Sequence, residues 1–207
     1  FKSFRALVED AIASKVDFVL IAGDLFHKRV VEPLTFFQAV FLLERLKERS
    51  IPVLAVEGNH ERPFYRDAYS WLTCLAEMDL LCPLTTHRES GQMRLYEWEP
   101  NAKNGCIYDY QKVRIYGQKY VGASTSKVVG ELAAALADRP RPEYAILMLH
   151  AGLEGILDHY SGTLSRANLE ALRPYVDYVA LGHIHKPFIQ DDWIYNPGSL
   201  ETNSVDE

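Results

Sequence analysis

Residues 17–24, DFVLIAGD, place a short apolar run directly before a glycine and an aspartate. Apolar runs of this length that are rich in Val, Ile and Leu are typical of strands buried on both faces, in a sheet that helices cover. The same design recurs in VLAVEGNH (53–60), AILMLH (145–150) and YVALGHIH (178–185). The sequence therefore predicts an α/β fold in which four buried strands each end in polar side chains.

These polar side chains are of the types that bind metal ions: Asp24, Asn59, His60, His150, His183 and His185. The carboxyl ends of strands in an open α/β sheet form the crevice where ligands bind, so we expect these groups to meet in one place. One carboxylate, one amide oxygen and several imidazoles suit borderline ions such as Mn, Fe, Zn or Co better than Ca, which prefers oxygen alone. Gly23, Gly58 and Gly182 precede the polar residues and let the backbone turn sharply there.

The motif order GD, GNH, H and GHxH resembles that of the calcineurin-like metallophosphoesterases. Within that superfamily, the chain resembles the SbcD-type DNA repair exonucleases in the stretches GDLFH (23–27), GNHE (58–61), LHAGLEG (149–155), GHIHKPF (182–188) and NPGSLE (196–201). Those exonucleases are the nuclease subunit of a complex with a coiled-coil, SMC-like ATPase. The resemblance covers nearly the whole chain and implies a four-layer sandwich, with two mixed β-sheets packed together and flanked by helices.

The resemblance also implies a centre of two divalent metal ions, for which we expect Mn, with Fe, Zn or Co as alternatives. Asp24 would bridge the two ions, and Asn59, His150 and His183 would complete the shell of one of them. His185 would bind the other. Two such ions hold a phosphodiester and activate the water that attacks it.

Two further histidines are candidates for the chemistry of this centre. His60 directly follows Asn59 and matches the family's catalytic histidine, which donates a proton to the departing alkoxide. His27 lies three residues after Asp24 and could reach a substrate phosphate at the rim of the crevice. The matching family position is associated with handling the nucleic acid. An exposed loop histidine is the alternative for His27.

In the family, the second ion also needs an Asp-x-His pair from a first strand, and the sequence has no such pair ahead of GDLFH. It opens with FKSFRALVEDAIASK (1–15), whose apolar residues recur at helical spacing. We therefore expect one metallophosphoesterase domain over residues 1–207, without its first strand and without a C-terminal capping domain. We favour a fragment of a longer protein, because the other ligands are retained together. True loss of one metal site is the alternative.

Composition narrows the class of protein. A chain of 207 residues with 48% apolar content can bury the core of one domain. The net charge of −6 does not by itself support nucleic-acid binding, although two divalent ions would add positive charge at the site.

Cys74, Cys82 and Cys106 show no close paired spacing, so we expect reduced thiols and a cytoplasmic location. No apolar run approaches the roughly 18 residues of a membrane span, so we expect no membrane association.

Periodicity predicts the positions of the remaining elements. Helices are predicted at 3–14, 33–49, 66–80, 127–137 and 165–172. Short strands are predicted in RLYEWEP (94–100), CIYDY (106–110) and KVRIYGQKYV (112–121), with WIYN (193–196) as the last strand. His87 and His159 match no motif, and we interpret them as surface residues.

The helix predicted at 33–49 carries more apolar surface than one core-facing stripe requires, because Phe37 and Phe41 fall outside that stripe. Family members dimerise through helices that follow the first two motifs. We therefore expect a homodimer patch formed by Phe37 and Phe41 with Tyr69 or Leu80. Packing of the two phenylalanines against a neighbouring helix is the alternative.

Three functions compete at this point. The first is a Mn-dependent DNA exonuclease or endonuclease in double-strand-break repair, with DNA as substrate and the SMC-like ATPase as partner. The second is another calcineurin-like phosphodiesterase or phosphatase, acting on small diesters or phosphoproteins. The third is a non-catalytic scaffold on the same fold. Retention of His60 argues against the scaffold, and GDLFH, GHIHKPF and NPGSLE favour the nuclease.

Overall fold

The computed structural model of the chain describes residues 1–63, 67–156 and 162–201. In these ranges the α-helices are α1 (Lys2–Ala13), α2 (Pro33–Lys47), α3 (Trp71–Glu77), α4 (Thr125–Ala137) and α5 (Arg166–Leu172). The strands are β1 (Val19–Ile21), β2 (Val53–Ala55), β3 (Cys82–Pro83), β4 (His87–Glu89), β5 (Gln92–Arg94), β6 (Ile107–Tyr110), β7 (Val113–Gln118), β8 (Tyr144–His150), β9 (Gly152–Leu153), β10 (Thr163–Leu164), β11 (Tyr178–Gly182), β12 (Phe188–Gln190) and β13 (Ile194–Asn196).

Two sheets form the centre of the described structure. The smaller sheet has the order β1-β2-β3, and its strands run parallel. The larger sheet has the order β12-β13-β11-β8-β7-β6 and is mixed, because β12 and β6 run antiparallel to their neighbours. The pairs β4-β5 and β9-β10 form separate two-stranded ribbons.

The alternation of side chains along β2 shows how the layers pack. Val53 and Ala55 belong to a core shared with α1, α2 and α3, whereas Leu54 faces the larger sheet. In the larger sheet, Ile146 packs toward β2 and its neighbour Leu147 packs with α4 and α5 on the other face. The layers therefore run helix, sheet, sheet, helix, and the predicted four-layer fold is confirmed.

Four of the predicted helices begin and end within two residues of the predicted positions. The helix predicted at 66–80 is shorter in the structure than in the prediction. Helix α3 begins after Ser70, whose hydroxyl accepts a hydrogen bond from the Thr73 N–H at 3.1 Å and so caps the helix. The chain leaves this helix after Glu77, and Leu80 turns inward to become 4% exposed. Residue 66, the first of the predicted helix, lies outside the described residues.

The prediction of a strand in RLYEWEP was wrong beyond its first residue. A hairpin of β4 and β5 turns at Gly91, and residues 95–100 form only isolated bridges, between Glu97 and Ile107 and between Glu99 and Asn104. His87 lies in this hairpin, half-buried beside the Tyr96 ring, and is not the surface residue that was predicted. His159 lies outside the described residues. Among the helices described, none has the length and apolar character needed to cross a membrane.

Candidate metal centre

The sheet registers bring four polar strand ends to one place. Strands β8 and β11 are parallel with His150 opposite Gly182, so His183 follows directly beside His150. In the smaller sheet, Ile21 lies opposite Ala55, so the turns after β1 and β2 leave the same edge and carry Asp24 and Asn59. Because the two sheets stack on each other, the ends of β1 and β2 lie close to the ends of β8 and β11.

Four potential ligand atoms converge there. His150 Nε2 lies 3.2 Å from Asp24 Oδ2 and 3.0 Å from Asn59 Oδ1. His183 Nδ1 lies 3.0 Å from Asn59 Oδ1 and 3.2 Å from His150 Nε2. Ligand atoms that share one ion at about 2.1 Å are about 3.0–3.4 Å apart in octahedral or tetrahedral geometry. The spacing of this cluster therefore fits one divalent ion.

The tautomer of His150 is set by a backbone carbonyl. His150 Nδ1 lies 2.7 Å from Ala22 O, and because a carbonyl oxygen only accepts, Nδ1 carries the hydrogen. In the neutral imidazole, Nε2 then presents a lone pair to the cluster, beside the carboxylate of Asp24 and the amide oxygen of Asn59, whereas in the imidazolium it donates to Asp24 Oδ2. Acceptor atoms that face one point favour a cation between them. Metal-binding histidines commonly donate a hydrogen bond from their other ring nitrogen, as His150 Nδ1 does to Ala22 O.

The carboxyl group of Asp24 is held in its ionised form. Burial raises the pKa of Asp24, but the hydrogen bond and charge of His150 and the backbone N–H of His60 outweigh it, so the pKa lies below its ordinary value. The His60 N–H donates to Asp24 Oδ1 at 3.0 Å. An anionic carboxylate with one oxygen toward the imidazoles and one toward a backbone N–H is suited to bind a cation.

Two glycines allow the strand ends to approach this closely. Gly23 has φ +91°, and a Cβ there would lie 2.2 Å from His150 Nδ1. A Cβ at Gly58 would lie 2.1 Å from Asp24 Oδ1. A side chain at either position would push the candidate ligands apart, so the close approach of the strand ends requires glycine at both positions.

Two of the candidate ligands have a strained backbone. Asp24 has φ 53° and His183 has φ 87°, a region that side-chain-bearing residues rarely adopt. Such conformations cost on the order of 1–3 kcal/mol each and persist where the surroundings impose them. For Asp24, the surroundings that impose it include Glu61.

Glu61 has a role that the motif GNHE alone did not predict. Its carboxylate is 1% exposed and accepts backbone N–H hydrogen bonds from Asp24 at 2.9 Å, Phe26 at 3.1 Å and Gly58 at 2.9 Å. Burial, followed by the nearby charge of Asp24, raises the pKa of Glu61 to about 7. The side chain thus joins the turn after β1 to the turn after β2. The signal in the sequence was an acidic residue inside a turn motif beside buried strands.

His60 and His27 lie together on the open side of the cluster. Their rings stack with centroids 5.8 Å apart and planes 22° apart. His60 Nε2 is 3.8 Å from Asp24 Oδ2, and its side chain is 36% exposed. His27 is exposed. Both imidazoles can therefore meet a molecule that approaches the cluster from solvent.

His185 does not enter the close cluster. The group of potential ligand atoms found within 4.8 Å of one another among the described residues comes from Asp24, His150 and His183. His185 instead lines a cavity of about 390 Å³, together with Asp24 and His60. This cavity extends from the cluster along β1 and toward α1.

Comparison with known proteins gives a consistent result. The sequence matches the family described as calcineurin-like phosphoesterase over residues 1–187. The DNA double-strand break repair protein Mre11 of Archaeoglobus fulgidus is 32% identical over 100% of this chain and 46% of its own length. The Mre11 protein of Saccharolobus solfataricus is 29% identical over 91% of this chain and 44% of its own length.

The metallophosphoesterase YhaO of Bacillus subtilis is 26% identical over 100% of this chain and 47% of its own length. The chain thus spans about half the length of these curated relatives. Among solved structures, it is similar to the calcineurin-like phosphoesterase YfkN from Bacillus subtilis, with a TM-score of 0.48 and 12% identity over 96% of this chain and 73% of that chain. On the motif order and the family match over residues 1–187, the chain belongs to the calcineurin-like phosphoesterase family.

Proposed function

We propose that the chain is the catalytic part of a metal-dependent phosphodiesterase that cleaves DNA. The observation that carries this proposal is the convergence of Asp24, Asn59, His150 and His183 at distances of 3.0–3.2 Å between neighbouring ligand atoms. Such a set suits a borderline divalent ion, and Mn is the ion we propose, with Fe, Zn or Co as alternatives. When bound, divalent ions supply Lewis acidity toward a phosphodiester and toward water.

The residues of the chain have separate tasks in this proposal. Asp24 holds the cation and is itself held by the His60 N–H. The His60 imidazole, on the solvent side of Asp24, donates a proton to the alkoxide oxygen that leaves phosphorus. His27 stacks against His60 and binds a phosphate oxygen of the incoming substrate. Because both rings lie at the open side, substrate reaches them without any rearrangement of the core.

A second ion belongs to the same proposal. Asp24 would help to hold it, and His185, on the wall of the adjoining cavity, would be a further ligand. The remaining ligands would come from an Asp-x-His pair of the kind found in the family, on a strand beside β1. Two observations support a place for that strand: β1 is an edge of its sheet in the described residues, and the cavity runs along it between Leu20 and Leu181. Strand addition to such an edge is a common mode of pairing.

DNA is the substrate class we propose because similar proteins, at 29% and 32% identity, are named DNA double-strand break repair proteins. The net charge of −6 means that attraction of DNA depends on the local charge of bound ions and of the loops around them. A coiled-coil, SMC-like ATPase is the proposed partner through regions outside this chain, and the cytoplasm is the proposed location. Other phosphodiesters are the competing substrate class.

A homodimer through α2 is also part of the proposal. Phe37 is 64% exposed and Phe41 is 47% exposed, and Leu34 on the same side of α2 is 64% exposed. Tyr69 is 56% exposed and can extend the patch. Leu80 cannot, because it is buried in the core beneath α2 and α3, and its assignment to the patch was wrong.

The test compares this chain with a version extended upstream through the expected Asp-x-His strand. Metal content after dialysis against Mn²⁺, cleavage of linear DNA and cleavage of bis-para-nitrophenyl phosphate are measured for both. We expect the extended version to bind two ions and cut DNA, and Asp24→Asn in it to abolish both. Cleavage of the small diester without cleavage of DNA would move the function to other phosphodiesters. Absence of metal and of cleavage in both versions would favour a scaffold.

A further inference from the structure

A fifth strand end reaches the metal cluster and contributes an aromatic ring. Strand β7 pairs with β8 in parallel, with Gln118 opposite Leu149, so the residues that follow β7 leave the sheet on the same side as His150. Tyr120 is the second residue after this strand and is half-buried. No motif in the sequence singles it out.

The Tyr120 ring contacts both imidazoles of the cluster. Its centroid lies 5.8 Å from that of His150, with the planes 81° apart, and 5.3 Å from that of His183, with the planes 39° apart. The two imidazoles are themselves 4.9 Å apart. The three rings therefore form one packed group, in edge and tilted arrangements that are favourable for aromatic pairs.

The position of the Tyr120 ring is fixed from the other sides. Its backbone N–H donates to Glu57 O at 2.8 Å, which ties it to the segment that carries Asn59. The backbone of Gly162 also approaches so closely that a Cβ there would lie 2.9 Å from Tyr120 Cε2. The ring thus has close contacts with a glycine backbone as well as with the histidine pair.

This packing matters most for His183. His150 is already oriented by its hydrogen bond to Ala22 O, whereas His183 sits on a left-handed backbone with φ 87°. A rigid ring against the imidazole removes alternative side-chain orientations, so less conformational entropy is lost when an ion binds. It also keeps water from one flank of the cluster, where a lower local dielectric strengthens the attraction between ion and ligands.

We propose that Tyr120 is a positioning residue, whose ring holds the His150 and His183 imidazoles in the arrangement that binds the metal ion. The inference rests on the proposed function insofar as it requires the cluster to bind a divalent ion. It concerns the ring and not the hydroxyl group. Neighbours that orient metal ligands are typically worth about 10- to 100-fold in metal affinity.

The experiment measures Mn²⁺ binding to the chain by isothermal titration calorimetry, with the thermal unfolding midpoint of each metal-free variant recorded alongside. Tyr120→Ala removes the ring, and Tyr120→Phe keeps it. Tyr110→Ala is the matched control, because Tyr110 is also half-buried but bonds Asp17 and contacts Phe18 before the start of β1, at the opposite end of the strand from Asp24. Tyr120→Leu serves in place of Tyr120→Ala if that variant does not fold.

We expect Tyr120→Ala to weaken Mn²⁺ binding by about 10-fold or more, with Tyr120→Phe and Tyr110→Ala within about twofold of the unsubstituted chain. Unchanged affinity in folded Tyr120→Ala would overturn the inference while leaving the metal site intact. Equal loss in Tyr120→Phe would overturn it by assigning the effect to the hydroxyl, and equal loss in Tyr110→Ala by assigning it to general destabilisation. The same titration is run on the upstream-extended version, and if neither unsubstituted version bound Mn²⁺, the proposed metal site would fall, and this inference with it.

Discussion

Glu61 Oε2 accepts the backbone N–H of Asp24 at 2.9 Å, although 37 residues separate the two in the chain. The same carboxylate accepts the N–H groups of Phe26 and Gly58, so one buried side chain closes the turns after two neighbouring strands. Buried backbone N–H groups that lose their acceptor are costly. The geometry of Asp24 therefore depends on a residue that is not one of the candidate ligands.

Replacement of Glu61 by Ala is expected to lower the free energy of unfolding by about 3 kcal/mol, because three buried N–H groups lose their acceptor. Glu61→Gln keeps one acceptor oxygen and is expected to cost less. Urea unfolding of the metal-free proteins measures both. Glu77→Ala on the exposed end of α3 is the control, with a change within about 0.5 kcal/mol. Equal stability of Glu61→Ala and Glu77→Ala would contradict the role assigned to Glu61.

His60→Ala is expected to retain metal while losing turnover by about 10²- to 10⁴-fold, the usual contribution of a general acid. The His60 imidazole lies on the solvent side of Asp24, with Nε2 3.8 Å from Asp24 Oδ2, outside the close ligand cluster. Metal content and DNA cleavage are measured in the upstream-extended version.

The matched control for that experiment is His87→Ala, a half-buried histidine in the β4-β5 hairpin. It is expected to leave both metal content and turnover unchanged. Loss of bound metal in His60→Ala would make His60 a ligand, and full turnover in that variant would remove it from the chemistry.

Phe37→Glu combined with Phe41→Glu is expected to convert a dimer into a monomer without lowering the unfolding midpoint, because both side chains are exposed on α2. Sedimentation velocity over a range of concentrations measures the change. Tyr144→Glu, at another exposed aromatic residue, is the control and is expected to leave the dimer intact. A monomer at all concentrations before substitution would contradict the proposed patch.

Cys82 and Cys106 are expected to react slowly with iodoacetamide at pH 8. Burial raises the pKa of each thiol to about 11, so the reactive thiolate is scarce until the pH rises well above 8. Peptide mapping by mass spectrometry measures labelling in native buffer and in urea. We expect both residues to be labelled quickly only in urea, and equal rates in the two conditions would show that neither thiol is protected.

Some expectations from sequence failed for identifiable reasons. The strand expected in RLYEWEP rested on its aromatic residues, but strand formation depends on a partner strand, and residues 95–100 have only isolated bridges. Leu80 was expected to extend an exposed helix face, but the helix ends at Glu77. The Leu80 N–H then donates a hydrogen bond to Leu75 O at 3.0 Å. In both cases the local pattern did not decide which structure formed.

The sequence by itself determined the α/β class, the strand ends and the identity of Asp24, Asn59, His150 and His183 as candidate ligands, because buried strands and the residues that end them leave a local pattern. The four-layer arrangement was implied by the family resemblance of the motifs. Only the tertiary structure decided that Glu61 closes the turns beneath Asp24, that Tyr120 packs on the histidines, and that His185 stands apart from the close cluster. These features depend on which backbone N–H groups and which ring faces meet when two sheets stack. No spacing along the chain encodes such meetings, since they join segments that only packing brings together.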